Sequence, residues 1–143
     1  MANGIVTHGA DFVVVASAKD ETSSSVAMAP SGAFDIVYHV SASSTDDDIL
    51  LNRYSSSGAL LASNVGVARG PARERKLDIA MDSAGNAVVV YQTFNGFGDF
   101  DVKARRVSIG GSVGSEIIAR ASGDDEFNPS VALAPTGGSF VVA

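Results

Sequence analysis

An all-β fold built from a repeated four-stranded unit is what this sequence predicts, and three observations carry that expectation. One phrase occurs three times, as Ser25-Val-Ala-Met-Ala-Pro-Ser-Gly32, Asp78-Ile-Ala-Met-Asp-Ser-Ala-Gly85 and Ser130-Val-Ala-Leu-Ala-Pro-Thr-Gly137. The copies stand 52 to 53 residues apart, a length that suits four short strands and their turns. The flanks repeat in the same register: Ile36-Val37-Tyr38 matches Val89-Val90-Tyr91, Asp46 and Asp48 match Asp99 and Asp101, Arg53 matches Arg106, and Gly58 matches Gly111. Upstream, the segment 11–21 aligns without a gap to 116–126, so Glu21, Glu74 and Glu126 share one place in the unit. Lastly, apolar spacing at i, i+3, i+4 and i+7 is sustained nowhere, and Gly and Ser interrupt the chain too often for helices.

Taken in order, each element has a local reason. Residues 11–18 form an apolar run that reads as an outer strand preceding the first full unit. Val26-Ala27-Met28 is a short apolar run ended by Pro30 and a Ser-Gly turn, after which the run from Phe34 to Val40 starts at once. Two such runs across a short turn closed by Gly read as a β-hairpin. A third run, Asp48 to Tyr54, ends in Ser55-Ser-Ser-Gly58, where glycine supplies a positive φ. The run from Ala59 to Val67 completes the unit. The second unit spans 77–120, the first 25–72, and a partial third covers 129–143. The small residues of Val26-Ala27-Met28-Ala29 and Val131-Ala132-Leu133-Ala134 suit a strand crowded on both faces, so this phrase is assigned to the innermost strand of a radial stack.

Composition bounds the function. The 143 residues are 45% hydrophobic and 18% charged, enough for one packed domain. Without cysteine, disulfides, thiolate nucleophiles, iron–sulfur clusters and cysteine-bound zinc are excluded. A net charge of −6 argues against a nucleic-acid partner. No apolar run approaches the roughly 20 residues of a membrane-spanning helix, and the first residues lack the basic start and apolar stretch of a signal peptide.

The stretch Pro129-Ser-Val-Ala-Leu-Ala-Pro-Thr-Gly-Gly-Ser-Phe-Val-Val142 resembles the repeats of large secreted bacterial β-propeller proteins. The downstream stretch from Asp46 to Gly58 resembles the third strand and turn of such blades. Tyr38 and Tyr91 stand where that family often carries Trp, and no sialidase-type Asp-box is present. The resemblance implies blades of four antiparallel strands, about two and three-quarter of them in this chain, and an extracellular or cell-surface setting. Such a set does not close a ring alone, so further sequence or a homo-oligomer (dimer or trimer) is expected to complete it, because open strand edges invite pairing.

Each candidate site residue also has a plainer role. Asp46, Asp48, Asp99 and Asp101 recur at one place in the unit and offer the oxygen ligands calcium takes. The plainer and favoured reading is that they start strands and solvate loop tips; no cofactor is expected otherwise. His39 sits on an expected strand and His8 near the N-terminus, and neither has a nucleophile motif beside it in sequence. Phe94, Phe97 and Phe100 replace Ser41, Ser44 and Asp47 of the first unit, which suits partial burial together with contact to a glycan or protein partner. The basic stretch from Arg69 to Lys76 reads as a solvated link between units, with a polyanion site as its alternative.

These readings converge on a non-enzymatic structural or binding module that assembles through its blades. The rival is part of a carbohydrate-active hydrolase using Asp46, Asp48, Asp99 or Asp101 as paired carboxylates. A third reading is a shortened or rebuilt propeller.

Overall fold

The computed structural model describes residues 13–14, 21–94, 96, 98–122 and 128–143, and every regular element among them is a β-strand. Strands β1 (Glu21–Met28), β2 (Phe34–Ser43), β3 (Asp46–Tyr54) and β4 (Leu60–Ala68) form an antiparallel sheet in chain order. Strands β5 (Glu74–Met81), β6 (Ala87–Phe94), β7 (Phe100–Val107) and β8 (Ile117–Arg120) repeat that order in a second sheet. The hairpin of β9 (Val131–Leu133) and β10 (Phe140–Val142) is a third, two-stranded sheet, and none of the three closes into a barrel. Of the stretch 11–18, only Val13 and Val14 are described; the Val14 carbonyl accepts a hydrogen bond from Asn52 Nδ2 at 2.9 Å.

A left-handed glycine at one place closes the first hairpin of each sheet. Gly32, Gly85 and Gly137 have φ of 85°, 88° and 76°. Each donates its N–H to the carbonyl three residues earlier, on Ala29, Asp82 and Ala134. In the first two hairpins the loop has three residues, Ala29 and Asp82 bonding to the carbonyls of Ala33 and Asn86. In the third, Ala134 bonds to the Ser139 carbonyl and Gly138, at a φ of 80°, adds a fourth. Glycine reaches these angles without Cβ strain. Non-glycine residues repeat as well: Ser23, Lys76 and Asn128 have φ of 49°, 48° and 50° at one place in the unit. In β1 and β5 that place is a bulge, where the register shifts between Thr22 and Ser24 and between Arg75 and Asp78. The bulge lets β1 and β5 continue pairing upstream of the apolar phrase, to Glu21 and Glu74.

The sheets stack face on face, always in the same sense. Val37, Ile49, Leu51 and Val67 of the first sheet pack against Ile79, Ala87, Val89 and Tyr91 of the second. The opposite face of the second sheet, with Val88, Val90 and Ala104, packs against Val131, Leu133, Phe140 and Val142. Alternation along β6 therefore buries both faces, as befits a strand between two neighbours. Each fully buried valine contributes about 1.5–3 kcal/mol relative to exposure.

Polar links cross the same junctions. Asp78 accepts from Ser25 Oγ at 2.9 Å and from the Val131 N–H at 3.0 Å, joining the first strands of all three sheets. Arg53 is held by Asp35 and donates onward to the carbonyls of Ser108, Ile109 and Gly85 in the turns of the second sheet. Arg106 repeats the device, donating to the Gly138 carbonyl and lying 4.9 Å from the centre of the Phe140 ring.

Candidate functional site

The junction between the first two sheets also gathers three carboxylates. After β4 the chain returns along the start of β3: the Asp47 N–H donates to the Ala72 carbonyl at 3.3 Å, and Asp47 and Arg73 form a parallel bridge. The Arg73 guanidinium donates to the Ser44 carbonyl and fixes the link to the β2–β3 turn. Glu74, the first residue of β5, is thereby delivered to Asp46 and Asp48, which lie two apart on β3. Ligand oxygens of the three residues all stand within 4.8 Å of one another.

Glu74 is only 6% exposed. Its Oε1 accepts from Thr93 Oγ1 at 3.4 Å, while Oε2 is buried without a hydrogen-bond partner, as is Asp46 Oδ1. Burial, with Asp48 and then Asp46 adding like charge, pushes the Glu74 carboxyl up to about 7. An all-oxygen set of this kind can share a proton at acid pH or hold a hard cation, and it offers nothing to a soft metal.

Asp46 and Asp48 are thus brought together, with Glu74 as a third member that the sequence reading did not include. The signal was present in the alignment of Glu21, Glu74 and Glu126, but a shared place in a repeat does not say which hairpin faces it. Asp99 and Asp101 stand at the corresponding place at the start of β7, and each holds a buried Oδ1 without a hydrogen-bond partner. Among the described residues no third carboxylate joins them. Glu126 lies outside the described residues.

His39 sits between Thr22 and Asp47, with Nδ1 2.8 Å from Thr22 Oγ1 and Nε2 3.3 Å from Asp47 Oδ1. Hydroxyl, imidazole and carboxylate are neighbours, but Nε2 makes no hydrogen bond and Thr22 is directly opposite His39 across β1 and β2. Side chains so placed meet as ordinary cross-strand neighbours, and the array is accounted for as a link between strands. His8 lies outside the described residues.

Phe94 and Phe100 face each other across the β6–β7 hairpin, ring centres 5.4 Å apart, and the Arg75 guanidinium lies 4.6 Å over the Phe100 ring. With Thr45, Pro71, Ala72 and Arg73 they line a shallow groove. Phe100 is half-buried and Phe94 exposed at its rim; Phe97 lies outside the described residues. Within the basic stretch, Arg69 donates to the Asn64 carbonyl at 3.0 Å, and Glu74 to Lys76 belong to β5 rather than to a loop.

No family model, curated protein or solved structure matches this chain.

Proposed function

We propose that the chain is a non-enzymatic structural or binding module of β-propeller type, which assembles by adding further sheets to the two ends of its stack. The observation that carries this reading is a difference in exposure between residues at one place in the repeat. Ile79 on β5 is 5% exposed against the first sheet, whereas Val26, its counterpart on β1, is 60% exposed, as is Met28 beside it at 62%. At the other end, Val88 is 0% exposed beneath the third sheet, whereas its counterpart Val141 is 69% exposed. The two ends thus present the two surfaces that the inner junctions bury. A head-to-tail contact joins such complementary surfaces and closes a ring when its rotation allows. Among the described residues no strand pairs with the outer edge of β10, which adds hydrogen-bonding capacity for another strand.

The secreted or cell-surface bacterial setting rests on the sequence resemblance and belongs to the same proposal, as does contact with a glycan or protein through the Phe94–Phe100 groove. Light scattering after size exclusion tests the assembly. A discrete dimer or trimer that falls to the monomer mass in Val26→Asp and Val141→Lys supports the proposal. A monomer at every concentration, with a mass and stability that neither substitution changes, overturns it for this chain.

A further inference from the structure

The geometry points to a calcium site between successive sheets, formed by Asp46 and Asp48 of one and Glu74 of the next. It lies wholly within one chain, so it stands or falls independently of the assembly proposed above. Three carboxylates within 4.8 Å are costly to hold together unless something of opposite charge lies between them. The neighbouring arginines are turned to other tasks: Arg73 donates to the Ser44 carbonyl and Arg75 lies over the Phe100 ring. What marks a ligand here, beyond the acidic cluster, is Glu74 itself. It is more than nine-tenths buried, and Oε2 is without a hydrogen-bond partner, as is Asp46 Oδ1 beside it. A buried carboxylate oxygen left unpaired is costly, and a cation removes that cost directly.

Geometric tolerance is what separates the hard cations here. Calcium binds oxygen at about 2.3–2.6 Å, so opposite ligands stand about 4.6–5.2 Å apart and tolerate irregular geometry. Magnesium at about 2.0–2.1 Å draws them to about 4.2 Å and demands an octahedron. Oxygens that all stand within 4.8 Å of one another fit inside a calcium shell, and an irregular set drawn from two sheets suits calcium's flexible geometry, with water completing a shell to which the protein gives three carboxylates. The device has an echo one repeat later, where Asp99 and Asp101 each carry a buried, unpaired Oδ1 at the equivalent place. A cation here would tie the β2–β3 hairpin to the start of β5 and fasten one sheet to the next.

The test uses the full chain, stripped with EDTA and exchanged into about 150 mM NaCl at pH 8. Titration with CaCl2 is followed by calorimetry and by thermal unfolding. The expected dissociation constant is about 10⁻⁴–10⁻³ M, the range of extracellular modules. Calcium at about ten times that value raises the folded-to-unfolded ratio about tenfold. Asp46→Asn, a half-buried position, and Glu74→Gln are each expected to weaken binding at least about tenfold. Absence of both heat and a thermal shift up to about 10 mM calcium overturns the site, as does unchanged affinity in both variants. Should Glu74→Gln fail to fold, Asp46→Asn decides alone. An equal response to MgCl2 overturns the assignment to calcium.

Discussion

Replacing Asp35 by Ala probes how firmly the first two sheets are tied. Asp35 is 0% exposed and directly opposite Arg53 across β2 and β3. Its two oxygens accept from Arg53 Nε at 2.7 Å and Nη2 at 2.6 Å, a bidentate buried pair. The same guanidinium reaches the carbonyls of Ser108 at 2.8 Å and Gly85 at 3.3 Å in the second sheet. Asp35→Ala leaves a buried cation with neutral partners alone, which costs about 3–5 kcal/mol. Against a total stability of about 5–15 kcal/mol, that is a large share. With a urea dependence of about 2 kcal/mol per molar, the midpoint falls by roughly 2 M. Arg53→Met in the Asp35→Ala background removes the stranded charge and should recover much of the loss, so the pair shows strong non-additivity. A loss below about 1 kcal/mol for Asp35→Ala, the range of an exposed pair, would refute the argument that this ion pair is dry and couples the sheets.

Other consequences can be checked on the same protein. In EDTA-treated protein, Glu74 is raised from 4.5 to about 7, so between those values the folded state binds the proton that the unfolded state has lost. Stability therefore falls as pH rises from about 4.5 to 7, by about 3 kcal/mol in all, and Glu74→Gln should flatten that part of the urea-midpoint profile. Gly137→Ala places a Cβ 2.8 Å from Asp82 Oδ2 at a φ of 76°, whereas Gly58→Ala at 81° meets nothing within 4 Å. Thermal unfolding should show a loss of about 1–2 kcal/mol for Gly58→Ala, from backbone strain alone, and a larger one for Gly137→Ala. The Tyr91 hydroxyl donates to Glu116 Oε2 and accepts from Arg105 Nε, both at 3.3 Å. Burial pushes this phenol up to about 12, so its absorbance titration should lag behind that of a free tyrosine. Tyr91→Phe should cost about 1 kcal/mol, and a neutral result would show that the Glu116–Arg105 contact carries no net weight.

Much of the fold was legible along the chain because its determinants are local. The short apolar runs, Pro30, and the glycines at 32, 85 and 137 specify hairpins through backbone sterics, and the structure has those turns where the phrase recurs. Repetition added the order of strands within each four-stranded sheet, since each run reaches its nearest neighbour through a short turn. Pairing upstream of the phrase was not legible: polar segments such as Glu74-Arg75-Lys76 join the strand through a bulge at a left-handed lysine, which side-chain pattern does not reveal. The acidic pattern similarly identified Asp46 and Asp48 without their third member.

The sequence by itself determined an all-β chain, its repeat length and its turns, because strand alternation and positive φ are properties of a few consecutive residues. Only the tertiary structure decided that Glu74 faces Asp46 and Asp48, that Arg53 links the two four-stranded sheets, and that Asp78 joins the first strands of all three. Those contacts depend on the angle and offset at which one twisted sheet stacks on the next. That geometry is set by the shapes of both buried faces together, and neither face is written in any single stretch of the chain.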